Sequence, residues 1–201
     1  MLSLKSNFDE TAGAARGPST RRPMARARYL GRWVVNDIDF IEQAFAKRER
    51  PQAVRDMSRP ADEIYSDADA FAGKDWREVT CALLEKHYNA TSGFSPEAFC
   101  YYLPGIYVAG MREGRPDLLV NDALIIGLDR GNAPASWDDF FRDRWPRLTP
   151  QECEATQRWI LWLSEFDPPP IEDASLSRAY DTMDLLAHQT GATPIAAWSR
   201  K

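Results

Sequence analysis

The sequence predicts an all-α fold, a single compact domain of about six helices with a flexible basic N-terminal leader. Several segments repeat apolar residues every three or four positions, which is typical of one buried face of a helix. The segments Ser95-Pro96-Glu97 and Thr149-Pro150-Gln151-Glu152 carry helix-start signals. The short apolar run 118–128 finds no alternating segment elsewhere that would pair with it as a strand, so a helix is favoured there as well.

Length and composition predict one folded domain between two tails. The chain has 201 residues, of which 44% are hydrophobic and 27% charged, as in ordinary globular proteins. We expect a disordered Arg-rich leader over 1–32, a helical domain over 33–190 and a C-terminal tail over 191–201. A real leader and a wrongly assigned start codon both account for the first segment.

The first half of the domain should contain three helical stretches. Asn36 or Asp37 is expected to cap the first helix, which ends in a charged turn before Pro51. A second stretch covers 62–71. After Gly73, the apolar spacing over 76–88 predicts one helix with a single buried stripe.

The second half of the domain begins with an aromatic helix that Ser95 caps. Pro104 lies well inside this helix and should kink or break it. Two capping-box patterns follow, over 136–139 and 149–152, and the second opens a helix that reaches Phe166. A last helix is expected over about 175–189.

Charge is divided unevenly along the chain. Residues 1–32 contain seven basic and two acidic residues, a net charge of +5, so the overall charge of −5 leaves −10 on the remainder. An acidic body repels nucleic acid and anionic membranes and attracts a basic protein. We therefore expect a basic protein partner, if any, and no membrane association.

Several function classes lose their usual sequence support. The three cysteines form no CxxC pair, and the two histidines are far apart, which argues against a zinc site and a disulfide framework. The chain has no GxSxG, HExxH, P-loop or GxGxxG motif. It also lacks a signal peptide and an apolar run of about 20 residues. We expect a cytoplasmic protein with no cofactor, no metal and no identifiable catalytic residue.

An acidic cluster and an aromatic cluster are the candidate binding sites. Asp138, Asp139 and Asp143 have a spacing that could hold magnesium, but helix-terminus stabilisation and pairing with nearby arginines explain it more simply. Glu97, Tyr101 and Tyr102, together with His87, could form a polar-edged pocket. The alternative is that these tyrosines pack in the core.

The segment Ser95–Pro104, which reads S-P-E-A-F-C-Y-Y-L-P, resembles one found in an uncharacterised family of small bacterial proteins. The resemblance extends over about 38–166 and includes the Phe71-x-Gly73-x-x-Trp76 pattern, Phe140 and the Leu148-Thr149 start of a later helix. The family carries no assigned activity, so the resemblance implies a domain of unknown function and no catalytic residue.

Three functions remain after these exclusions. The leading hypothesis is a protein–protein binding module, in its most concrete form an immunity or antitoxin-like protein that uses the aspartates at 138, 139 and 143. The second is a small-molecule binder or enzyme with a site around Glu97, Tyr101 and Tyr102. The third is a nucleic-acid-associated protein that acts through the Arg-rich leader, which the acidic body disfavours.

Overall fold

The computed structural model describes residues 27–58, 63–130 and 134–189, so the predicted tail over 191–201 and most of the predicted leader lie outside the described residues. Within them, nine α-helices and four short 3₁₀ helices are present, together with one isolated β-bridge between Arg55 and Phe94. The predicted all-α single domain is confirmed. The α-helices are α1 Ala27–Ala44, α2 Glu63–Ser66, α3 Cys81–Lys86, α4 Ala90–Gly93, α5 Pro96–Glu113, α6 Leu119–Leu128, α7 Asp139–Arg144, α8 Pro150–Ser164 and α9 Asp173–Gln189.

Helix α1 begins earlier than the sequence predicted. It starts at Ala27, inside the predicted leader, and Asn36 and Asp37 lie in its interior rather than at its N-terminus. The reason is the apolar stripe, which begins before the cap predicted at Asn36 or Asp37. The residues that pack against the core are spaced three or four apart: Val34, Ile38, Ile41 and Phe45.

Helix α5 is the central element of the core. Ser95 caps it as predicted, since the Ser95 hydroxyl accepts a hydrogen bond from the backbone N–H of Ala98. Pro104 does not break it, and the helix continues to Glu113. Packing explains this continuity, because every residue from Ala98 to Met111 is buried against neighbouring elements. Among these contacts, the Tyr107 ring stacks on Trp159 of α8 at 4.4 Å between centroids.

The stretch 76–88 is two short helices and not the single helix that its apolar spacing predicted. A 3₁₀ helix covers Trp76–Glu78 and is capped by Asp75. Val79 and Thr80 are extended, and the Thr80 side chain then caps α3 by accepting a hydrogen bond from Leu83. Two local capping interactions therefore outweigh the continuity of the apolar stripe.

Helices α8 and α9 form an antiparallel hairpin that packs on α1 and α6. The predicted capping box of Thr149 and Glu152 is present at the start of α8. In the stretch 136–139, where a second box was predicted, Asp138 is the residue that caps α7. Glu152 is buried and pairs with Arg48 at 2.6 Å, which joins α8 to the segment after α1. None of the described helices is long and apolar enough to cross a membrane.

Candidate functional site

The predicted acidic cluster lies at α7, where arginines largely compensate its charge. Asp138 caps the helix through Phe141 and also accepts a hydrogen bond from Arg130, both at 2.8 Å. Asp139 is 95% exposed and lies 3.6 Å from Arg142. The side chain of Asp143 is exposed as well. These aspartates therefore act mainly as a helix cap and as surface ion pairs.

The predicted aromatic site is divided among separate contacts. The Tyr102 hydroxyl is buried 2.7 Å from the carbonyl oxygen of Phe71, and burial raises its pKa to about 12. The Tyr101 ring packs edge-on against Tyr102. Glu97 is exposed and pairs with Arg147 at 2.8 Å. The tyrosines are core residues, and the structure does not bring Glu97 to their hydroxyl groups.

His87, the fourth member of that predicted site, also lies elsewhere. Its Nδ1 atom is 3.1 Å from one carboxylate oxygen of Asp67. The other oxygen of Asp67 accepts a hydrogen bond from the backbone N–H of Asn89. In the described ranges, no group of three or more His, Cys, Asp or Glu side chains could hold a metal ion. All three cysteines are free thiols inside the core.

A surface groove between α1, α8 and α9 is the site that the sequence did not predict. Its first depression has a volume of about 400 Å³. One of the side chains that line it comes from α1 and the others lie between positions 154 and 180: Asp37, Glu154, Gln157, Arg158, Leu161, Trp162, Glu165 and Tyr180. Its lining combines acidic side chains with aromatic and aliphatic ones, so one surface offers both charge and apolar contact.

Arg158 is held firmly within the first depression. Its guanidinium donates hydrogen bonds to Asp37 at 2.9 Å and to Glu154 at 2.8 Å. It also lies over the ring of Phe40, 3.8 Å from the ring centroid. With three carboxylates and one guanidinium, the depression keeps a formal charge of −2. Contacts with Asp37, Glu154 and Phe40 thus fix the position of Arg158. The remaining carboxylate of the depression, Glu165, is left uncompensated.

That third carboxylate belongs to Glu165, the C-cap residue of α8. Its side chain accepts no hydrogen bond from the part of the chain that the structure describes. Partial burial and the negative charge of Asp37 raise its pKa. The C-terminus of α8 adds partial negative charge at the same point. The Glu165 side chain is nevertheless exposed, so the negative charge that Asp37 and the helix terminus place beside it is accessible to an incoming cation.

A second depression adjoins the first and is more apolar. Its volume is about 290 Å³, and it shares Leu161 and Tyr180 with its neighbour. Leu161 is 50% exposed and forms the ridge between the two. The other lining residues are Ile160, Ser164, Asp173, Leu176 and Ser177. We call the two depressions together the α8–α9 groove.

Fold and groove together define the class of this protein: a helical domain with an acidic, partly apolar surface groove. Comparisons with protein-family models, with curated proteins and with solved structures find no match to this chain. The resemblance of residues 95–104 to an uncharacterised bacterial family therefore stays a prediction.

Proposed function

We propose that this protein is a protein–protein binding module that captures a basic side chain of its partner in the α8–α9 groove. The observation that carries the proposal is Glu165, a carboxylate with no hydrogen-bond partner in the described chain, beside Asp37. A lysine or arginine placed there would gain the attraction of both carboxylates. It would also offset the repulsion between the carboxylates of Glu165 and Asp37.

The overall charge supports the same class of partner. Residues 33–201 carry a net charge of −10, so a basic protein would be attracted over a distance before contact. Such attraction raises the rate of encounter and disfavours acidic competitors. An immunity or antitoxin-like role, in which an acidic protein neutralises a basic toxin, has this same chemistry.

The size of the groove favours single side chains over a whole cofactor. Small-molecule sites usually enclose about 300–1,000 Å³ and bury most of the ligand. The first depression, at about 400 Å³, is near the lower limit and open to solvent. A side chain presented by a protein surface needs less enclosure, because the surrounding interface excludes water.

The alternative locations are less suited to this role. At α7 arginines pair with Asp138 and Asp139, much as Arg158 pairs with two carboxylates of the groove, so charge alone does not favour one place over the other. The groove differs because Leu161, Trp162 and Tyr180 add apolar surface beside its carboxylates. The small-molecule hypothesis required Glu97 and the tyrosines to meet in a pocket, and their contacts are separate. The nucleic-acid hypothesis depends on the Arg-rich leader, most of which lies outside the described residues.

A defined probe tests the proposal directly. The probe is a labelled helical peptide of about 15 residues, built from alanine and glutamine with one central arginine. Its matched control carries citrulline, which has nearly the shape of arginine and no charge. We expect the full chain to bind the arginine peptide more tightly at low salt, and the difference to shrink as salt is added.

Two variants then locate the site. Glu165→Gln should weaken binding of the arginine peptide about fivefold, the value of an ion pair of about 1 kcal/mol. Asp139→Asn makes the same change in charge at α7 and should leave the affinity unchanged. An equal loss in both variants would mean attraction by net charge alone, and a loss only in Asp139→Asn would move the site to α7. Either result, or concentration-dependent self-association that Glu165→Gln abolishes, would overturn the proposal.

A further inference from the structure

The second depression of the α8–α9 groove has a different chemistry from the first and calls for a different side chain. Ile160 and Leu176 are buried beneath it, and Leu161 and Tyr180 form one wall. Among its lining residues Asp173 is the single charged one. The Ser164 hydroxyl already donates a hydrogen bond to the backbone carbonyl of Leu161 at 2.7 Å. Little in this depression would hold a charged or strongly polar group.

The two depressions are close enough to be filled by one short segment. Both are lined by Leu161 and Tyr180, so the two depressions adjoin at these side chains. Side chains three or four residues apart on a helix have Cβ atoms about 5–6 Å apart and face the same way. A basic and an apolar side chain at that spacing could therefore enter the two depressions from one helical turn.

We infer that the partner presents an amphipathic helical segment with two anchors, a basic side chain for the first depression and an apolar side chain for the second, four residues apart. This inference rests on the proposed function, because it assigns the basic anchor to the site of Glu165. It adds the chemical class and the spacing of the second anchor. Helices that lie in a groove are commonly recognised by such spaced anchors.

The exposed ridge supports two-point recognition. Leu161 remains 50% exposed between two depressions, which leaves apolar surface in contact with water on α8. A partner side chain in the second depression would cover Leu161 together with the half-buried Tyr180 ring. Charge in the first depression would then favour the correct partner, while apolar contact in the second would slow its release.

Four peptides test the inference with the same labelled alanine–glutamine host. Each carries the central arginine; two add a leucine four residues before or after it, one adds leucine two residues after it, and one has no leucine. We expect at least one of the four-residue spacings to tighten binding about tenfold. The two-residue spacing has the same composition but directs leucine to another face, so its affinity should equal that of the arginine peptide.

Ser177→Trp fills the second depression from an exposed position on α9. This variant should abolish the gain from leucine and keep the preference for arginine over citrulline. Leu161→Ala removes the shared wall and serves as a second test if Ser177→Trp does not fold; it should reduce the same gain. Equal affinity of all four peptides for the wild-type chain would overturn the two-anchor inference.

The same experiment separates failure of the inference from failure of the proposed function. If arginine is preferred to citrulline but leucine has no effect, the basic site stands and the second anchor is wrong. If leucine tightens binding but arginine and citrulline are equivalent, the proposed capture of a basic side chain is wrong. A leucine gain that persists unchanged in both Ser177→Trp and Leu161→Ala would place the apolar contact outside the groove.

Discussion

Gly105 marks the closest approach between α5 and the 3₁₀ helix Trp76–Glu78. A Cβ atom added to Gly105 would lie 2.3 Å from the carbonyl oxygen of Trp76 and 2.9 Å from a methyl carbon of Val79. Because ordinary contacts begin near 3.4 Å, the two backbones would have to separate by about 1 Å in a close-packed core. Overpacking of this kind costs about 1–3 kcal/mol or more. Alanine is also more favourable than glycine inside a helix by up to about 1 kcal/mol, which offsets part of this cost.

We therefore expect Gly105→Ala to lower the free energy of unfolding by about 2 kcal/mol. Urea denaturation followed by circular dichroism measures this directly, and the melting temperature should fall by about 4–8 °C for a domain of this size. The matched control is Gly127→Ala in α6, where the added carbon would meet only Trp145 at 3.7 Å. That variant should be unchanged or more stable by about 0.5–1 kcal/mol. A Gly105→Ala protein as stable as the wild type would refute the packing argument.

Three further predictions concern the core and its charges. Arg144→Met should lower the free energy of unfolding, measured by urea denaturation, by about 3 kcal/mol, because Arg144 is 1% exposed and pairs with Asp56. The control Arg142→Met, on the same helix, should lower it by less than about 0.5 kcal/mol. The hydrogen bonds from Arg178 and Ser175 lower the pKa of Asp129, so its stabilising effect is present above pH ~4 and is lost as the pH falls through the lowered pKa. Its asparagine variant should accordingly lose less stability than the wild type between pH 7 and pH 3; an equal loss would contradict this. Burial raises the pKa of every cysteine to about 11 or 12. A thiol reagent at pH 8 should therefore label all three only after the protein unfolds. Rapid labelling of the native protein would contradict the burial of these thiols.

Local signals in the sequence predicted the parts of the fold that depend on a few neighbouring residues. Ser95 and the Thr149–Glu152 pair cap their helices through hydrogen bonds that span three residues, so their sequence spacing alone is informative. The apolar run 118–128 forms α6 as predicted, because it has a helix's length and no strand lies beside it.

Packing between distant elements decided the features that were predicted incorrectly. The interior of α5 accommodates Pro104 because burial on all sides stabilises the helix. Residues 76–88 divide into two helices because Thr80 caps a new one where α5 approaches at Gly105. The spacing of apolar residues predicts which face of a helix is buried, but not which element packs against that face. It therefore predicts neither effect.

The groove was missed because its side chains come from three helices. Asp37 and Tyr180 are far apart in sequence, and no local motif joins them to Glu165. One signal was present. In the sequence of α8, Leu161 lies opposite the apolar stripe that contains Ala155, Trp159 and Leu163, and an apolar side chain in that position can mark a binding surface. The acidic cluster at 138–143 is visible in the sequence because its three aspartates lie within six consecutive positions.

The most direct test of the central claim is a map of the binding site on the full chain by nuclear magnetic resonance. The arginine peptide is titrated into uniformly ¹⁵N-labelled protein, and shifts of the backbone amides are compared with those caused by the citrulline peptide. Capture of a basic side chain by the groove predicts that arginine-specific shifts cluster at Asp37, residues 154–165 and Tyr180. In Glu165→Gln the same shifts should need about fivefold more peptide to reach half of their full size. Arginine-specific shifts clustered at Asp138–Asp143, or spread evenly over the acidic surface, would contradict the proposal.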